Sequence, residues 1–486
     1  MKGTRKYSWL LVLLVLAGCS YNFPEEELPT RQDWGDMDPE NVLVVGDDFL
    51  AGVMDGALYS NGQANSIGAI LTKQISTVEE VSFLQAGIDS ENGFNLFVTQ
   101  ESSKAGKWIY QFKNQTDEEP YRVLTPGEDI AGFSGNKNEL NDVSVPLLKV
   151  SELSDAPYTK NNFLPRVFDE TVPGLIGQIT QKAPTFVVCW LGMNDYLDYA
   201  IKGATQPEKL TSLNEFSLNF EALIMELMES TQASVVLGNL VAVSDLPYFY
   251  ARPYNSLFLE NDKLLQAFAR YSKFNKAVAE HNRNAGPEFQ RPFIDFYDNG
   301  SNLAPQSFII IDNDLPEAYY PDGEPLEKYR QLNENEMLLY SLTREDIDSG
   351  IGILVPIDET GYLKQDQIQQ IETSIDEFNE VITGLVADYP MRIKLLDLNT
   401  EIRKIAETGK TDAWGEPISD ELFYFDGVPV EGNVGINGIF SLDGLHFNQR
   451  GNAYVANLLI QQINSDFNAN IQTVNINSFV GNTYSE

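Results

Sequence analysis

The sequence predicts an α/β domain in three layers, a doubly wound parallel sheet with helices on both faces and large insertions between its elements. Three observations predict it. Residues 41–45 and 185–191 are short uninterrupted apolar runs, each ending at a glycine (Gly46 and Gly192), and residues 233–240 and 392–398 repeat the type. Such runs suit strands buried on both faces of a parallel sheet. Helical periodicities alternate with them, over residues 66–75, 213–228, 400–407 and 451–463. That alternation is the signature of βα units. Two stretches exceed a minimal domain. Residues 89–180 are rich in Gly, Asn and Asp with few clear elements. Residues 245–390 mix Pro-rich loops with helical patterns over 264–281 and 365–388.

The N-terminus reads as an export signal. Lys2, Arg5 and Lys6 precede an apolar run over residues 9–17, too short for a span of roughly 20 residues, and Gly18-Cys19 follows. Basic, apolar and small residues in that order mark a cleavable signal. The stretch Leu16-Ala17-Gly18-Cys19 resembles a lipobox, which implies lipid on Cys19 and a mature chain beginning there. The expected partner is therefore a membrane, with the protein an outer-membrane lipoprotein facing the periplasm or the cell surface. The domain plan is a signal over 1–18, an acidic tether over 19–40, one domain over 41–470 with insertions at about 89–180 and 245–390, and a tail over 471–486. Glu25-Glu26-Glu27 in the tether resembles acidic surface-export signals of Bacteroidetes lipoproteins.

Composition narrows the function. The 486 residues carry 71 acidic and 33 basic side chains, a formal charge of -38. Nucleic acid is excluded, because its binding rests on Lys and Arg neutralising phosphates. With Cys19 lipidated only Cys189 remains, so no intrachain disulfide forms. No cofactor is expected.

Three fragments lie at predicted strand ends, where open α/β sheets bind ligands: Gly46-Asp47-Asp48, Gly192-Met193-Asn194-Asp195 and Ser441-Leu442-Asp443-Gly444-Leu445-His446. In this order they resemble blocks I, III and V of the SGNH (GDSL) hydrolase family, whose sheet is flavodoxin-like. Residues 45–59, 239–254 and 308–316 are similar to its long Bacteroidetes lipoprotein branch. The resemblance implies an ester hydrolase in which a Ser attacks, a His takes its proton and an Asp three residues earlier orients the ring. Carried over, His446 is the base, Asp443 the orienting acid and Asn194 an oxyanion donor. The other histidine, His281, lies in a polar helical stretch and reads as a surface residue.

Two positions depart from that pattern. Gly46, Leu50 and Gly52 fix the frame of block I, and the nucleophile position holds Asp48. Block II resembles residues 141–147, with Leu147 where the family has the oxyanion Gly; a leucine there is expected to narrow the pocket. A carboxylate is a poor acyl acceptor, competes for oxyanion donors, and with Asp443 would keep His446 protonated. The leading expectation is thus a non-hydrolytic protein that binds a glycan or lipid. Alternatives are an ester hydrolase in which His446 activates water, an Asp48-nucleophile hydrolase, and a metal site from Asp47, Asp48, Asp443 and His446, although no metal is the expectation. Trp34, Trp108, Trp414 and the run Tyr248-Phe249-Tyr250 are candidate sugar-packing residues, whereas Trp190 reads as core.

Overall fold

A computed structural model describes residues 32–98, 104–114, 119–297, 304–425 and 427–485. The expected signal, Cys19 and most of the expected tether lie outside these residues. Four strands form the central sheet: β1 (Val42–Gly46), β2 (Phe186–Trp190), β3 (Ser234–Gly238) and β4 (Ile393–Leu396). They run in that order and all parallel. β1 and β2 are buried throughout, as their uninterrupted apolar sequences require.

A fifth member borders β1. The Val44 N–H donates to the Asn141 carbonyl at 2.7 Å, and the N–H groups of Val143 and Val145 donate to the carbonyls of Val44 and Gly46. Residues 141–145 therefore run parallel beside β1, although they came from a stretch with no clear strand signal. Counting this edge, the spatial order is 2-1-3-4-5, that of a flavodoxin-like sheet, and the direction of winding reverses between β1 and β2.

The longest helices among the described residues are α1 (Ile67–Ile75), α2 (Asn194–Ala200), α3 (Leu213–Ser230), α4 (Asn261–Asn282), α5 (Gln365–Asp388), α6 (Leu398–Gly409) and α7 (Gln449–Asp466). α7 packs against α1, and α5 against α3. Ser66 caps α1 through the Ala69 N–H, and Ser212 opens α3 with a capping box to Glu215. α5 buries Ile371, Ile375, Phe378, Ile382 and Leu385, one face at helical spacing. Phe378 stacks on Phe216 of α3 with ring centroids 4.1 Å apart.

Three readings of the chain need correction. The 245–390 insertion is shorter than its sequence suggested, because α5 belongs to the main helix layer. What precedes it builds a core of its own, in which Leu264, Tyr271 and Phe274 of α4 pack with Phe308, Ile309, Ile310 and Tyr362. The end of the tether is not loose. Met37 is buried, the Trp34 indole donates to the Ile75 carbonyl, and Asp33 pairs with Asn470. The tail packs too. Ile471 and Ile476 are buried, and Tyr484–Ser485 pairs with the strand Ala105–Gln111. Trp34, Met37 and these isoleucines pack on the main core, and their burial favours holding the polar segments against it. Among the described residues, no helix is long and apolar enough to cross a membrane.

The stacked ring of Phe378 is fully buried. Phe378→Ala should lower the unfolding free energy by about 3–5 kcal/mol, read from the urea midpoint; a loss under ~1 kcal/mol would mean that α5 is not a core element.

Candidate active site

The site lies at the C-terminal edge of the sheet, around the switch point between β1 and β2. At the end of β1, a Cβ on Gly46 would sit 2.7 Å from the Trp190 carbonyl, so only glycine lets the strands approach there. Asp47 follows and caps the short helix Asp48–Ala51 through the Phe49 N–H. Its Oδ2 accepts from the N–H groups of Gly192 at 3.3 Å and Met193 at 3.1 Å. One buried side chain thus ties the β1 turn to the β2 turn. Burial, then the neighbouring Asp48, push the Asp47 pKa well above the usual carboxylate value, against the pull of the Phe49 and Gly192 N–H groups.

Asp48 is 1 % exposed. Its Oδ1 accepts from the Leu147 N–H at 2.5 Å and from Asn194 Nδ2 at 2.6 Å. Its Oδ2 accepts from His446 Nε2 at 3.3 Å. Leu147 reaches this place with φ of +63°, the left-handed region, at a cost for a non-glycine residue of about 1–2 kcal/mol. Its side chain is 36 % exposed, at the rim of the site, and the backbone N–H makes the contact with Asp48. Asp195, beside Asn194, holds the segment after Leu147 by accepting from the N–H groups of Val150 and Ser151. Burial foremost pushes its pKa up to about 6.

The last motif folds as a tight loop before α7. Asp443 Oδ1 accepts from the N–H groups of Leu445 at 2.7 Å and His446 at 2.9 Å. Its Oδ2 accepts from the Gly56 N–H at 2.6 Å and from His446 Nδ1 at 2.8 Å. Burial opposes charge on Asp443, but His446 and these donors outweigh it and hold the pKa below the usual carboxylate value. Burial alone would depress the pKa of His446; Asp443 and then Asp48 overcome it and raise it to about 10. Nδ1 faces Asp443 Oδ2 and Nε2 faces Asp48 Oδ2, an arrangement that favours the doubly protonated ring. Phe97 stacks over the imidazole at 5.8 Å between centroids and Phe49 lies against it at 4.8 Å, leaving His446 1 % exposed.

The structure therefore brings Asp48, Leu147, Asn194, Asp443 and His446 together from four separate segments. A ring protonated on both nitrogens has no lone pair to accept a proton, and Oδ1 of Asp48 occupies both donors. Among the described residues, no group of three or more His, Cys, Asp or Glu is arranged to hold a metal. His281 lies apart, bonded to the Phe289 carbonyl. The aromatic run is not an open pocket: Phe249 is buried, and the Tyr250 hydroxyl donates to the Gly432 carbonyl. Trp190 is core, 2 % exposed. Sequence reasoning missed three contributors: the bridging role of Asp47, the Gly56 N–H and the Phe97 ring. Asp47 was visible as an acid in a turn, but its partners are 145 and 146 residues away. Gly56 and Phe97 carried no signal.

A raised histidine pKa means that the folded protein holds this proton more tightly than the unfolded chain does. The stabilisation from the cluster is complete below an unfolded pKa of about 6.5 and is lost as pH rises through about 10. The stability gap between wild type and His446→Gln, measured by urea unfolding from pH 6 to 10, should narrow with rising pH; a constant gap would show that His446 is not protonated in the fold.

The family model for GDSL-like lipase/acylhydrolase matches residues 42–459. A search of curated proteins finds no match. Among solved structures, the chain is similar to two mutants of Axe2, an acetyl-xylooligosaccharide esterase from Geobacillus stearothermophilus, each at 9% identity and a TM-score of 0.32. Each match covers 88% of this chain, with 96% and 95% of the esterase chains. A TM-score that low carries no argument about substrate. The family match spans most of the chain, from the first residue of β1 into α7, and on it the chain belongs to the GDSL-like lipase/acylhydrolase family.

Proposed function

We propose that this protein is a non-hydrolytic GDSL-like lipoprotein of the long Bacteroidetes branch, held at the outer membrane by lipid on Cys19, that binds a glycan or lipid. On this reading Asp48 stands where the family's serine nucleophile stands. His446 and Asp443 hold the places of base and orienting acid, and the Leu147 N–H and Asn194 are the oxyanion donors. The observation that carries the reading is the double occupation of those donors by Asp48 Oδ1, at 2.5 and 2.6 Å.

Donors of this kind accelerate acyl transfer because they wait for charge that develops only in the transition state; losing one costs on the order of 10²–10³ in rate. Here a resident oxygen takes them first. Attack by Asp48 on an ester would also yield a mixed anhydride, uphill from the substrate. A protonated His446 cannot serve as general base. Each of the three functions that an acyl transfer needs is thus disabled by the same side chain.

Wild type should show no esterase activity above background on a panel of activated acyl and acetyl esters. Asp48→Ser should free the donors and lower the His446 pKa, raising hydrolysis on the order of 10²-fold. Adding Leu147→Gly should raise it further if the rim leucine limits access. Robust wild-type hydrolysis that disappears in His446→Ala would overturn the proposal and favour a water-activating hydrolase. Turnover of an epoxide or haloalkane that disappears in Asp48→Asn would favour an Asp48 nucleophile.

The anchor is tested separately. Cys19→Ser should leave the protein as an uncleaved precursor or release it from the membrane fraction; normal processing and membrane retention of the variant would refute lipidation.

A further inference from the structure

A cavity is lined by Arg122, whose guanidinium donates to the Leu442 carbonyl of the Ser441–His446 loop. Its volume is about 530 Å³, within the range of small-molecule sites, roughly 300–1,000 Å³. Arg122, Arg252 and Arg344 line it, with Tyr340, Phe258 and Glu119 among the remaining walls. The three arginines come from distant parts of the chain: the strand Tyr121–Pro126, the loop after the short helix Pro247–Tyr250, and the first residue of the helix Arg344–Ser349. In a chain with 33 basic side chains against 71 acidic ones, their convergence on one hollow needs a reason.

Internal charge pairing does not supply it. No ion pair among the described residues engages Arg122 or Arg252, and Arg344 approaches Asp348 only at 4.0 Å. Of the acidic residues nearby, Asp346 caps its helix by accepting from Thr343, Asp348 accepts from the Tyr121 hydroxyl, and Glu119, a wall of the cavity, meets Arg344 through its backbone carbonyl, which accepts from Nη1 at 2.8 Å. Arg252 Nη1 is buried and has no hydrogen-bond partner. Burial first, and then repulsion from Arg122, pull the Arg252 pKa down, while Tyr340, Asp346 and Asp348 pull it up. Arg122 is held rigid. It lies between the rings of Trp108 at 4.4 Å and Tyr340 at 3.9 Å, and donates to the carbonyls of Leu442 and Tyr340. A fixed guanidinium beside one with a spare buried donor is suited to an oxyanion, for which arginine presents a planar fork.

The aromatic wall Phe258, with Trp414 next to it outside the lining, favours a saccharide over a bare anion. Phe258 is 39 % exposed and packs against Trp414, itself 59 % exposed, at 5.4 Å between centroids. Exposed aromatic faces beside guanidinium groups suit the C–H faces of sugar rings. The cavity is also tied to the candidate active site. Arg122 grips the Leu442 carbonyl, one residue before Asp443, and the Tyr248 N–H donates to the Gly444 carbonyl while its own carbonyl accepts from Tyr340.

We propose that this cavity binds an acidic saccharide, a sugar chain bearing carboxylates, with Arg252 and Arg344 taking the anion, Arg122 fixed as the cationic wall, and Phe258 and Trp414 packing on the rings. The inference rests on the glycan form of the reading above and names its ligand class.

Calorimetric titration of the full chain with tri-galacturonate, xylotriose and inorganic phosphate tests it. Tri-galacturonate should bind, more weakly as salt rises, and at least ~10-fold more tightly than xylotriose or phosphate. Arg252→Gln and the more exposed Arg344→Gln should each weaken it by about 10-fold, with circular dichroism unchanged. Arg344→Gln keeps the test valid if Arg252→Gln fails to fold. Equal binding of xylotriose that neither variant changes would overturn the acidic class and leave the glycan reading standing. Phosphate binding as tight as tri-galacturonate would reduce the cavity to a simple anion hole and overturn the saccharide claim. No binding of any probe would overturn the inference. Arginine-dependent tri-galacturonate binding by a protein that also cleaves esters would uphold this site while the non-hydrolytic reading falls.

Discussion

A buried carboxylate must be met by donors, and the C-terminal edge of this sheet is organised around meeting one. Asp48 draws on partners 99, 146 and 398 residues away: the Leu147 N–H, Asn194 and His446. Each partner is in turn fixed by another acid. Asp195 holds the segment that follows Leu147, Asp47 holds the turn that presents Asn194, and Asp443 holds His446. The result is a closed polar network in a low-dielectric setting, where satisfied bonds strengthen one another and an unsatisfied one is costly. It also explains why the cluster tolerates three neighbouring acids with one imidazole. Asp443 is stabilised by four donors, Asp47 shifts upward under burial, and His446 carries the positive charge between Asp48 and Asp443.

The sequence revealed the parts of this arrangement that rest on local pattern. The two-face-buried strands showed as unbroken apolar runs, so β1 and β2 were legible within a residue or so of their ends. Asp443, His446 and Asn194 were legible because the short motifs that hold them resemble blocks V and III of the family. The sheet's fifth member was not, because residues 141–145 carry Asn, Asp and Ser and earn their place by backbone bonds to β1 alone. The membership of α5 in the main layer was hidden inside a long stretch with no marker of where the insertion ends. Leu147 was legible as a position and not as a conformation. Nothing in a leucine announces a φ of +63°, and that dihedral turns its side chain outward while keeping its N–H on Asp48. Phe97 was invisible because contact with His446 depends on how a Gly- and Asn-rich segment folds back.

Under the proposed reading, the cluster also shows what a catalytic framework becomes when its demand for readiness is removed. An active oxyanion hole keeps its donors aimed at a place that is empty of charge until the transition state, and enzymes give up stability for that preorganisation. A serine at position 48 would leave the Leu147 N–H and Asn194 without their present acceptor. The Asp48 carboxyl supplies one oxygen to both donors and the other to His446, so the machinery that would have stabilised a transition state stabilises the ground state of the fold. Closure follows from the same change. With no acyl group to admit, Phe97 and Phe49 can pack on the imidazole, and burial then deepens the ionic coupling by excluding water. Ligand recognition would have to move outward, to surfaces that the sealed cluster supports without contacting. The Ser441–His446 loop is such a support: Asp443 holds His446 in place, and the Leu442 carbonyl beside it anchors Arg122.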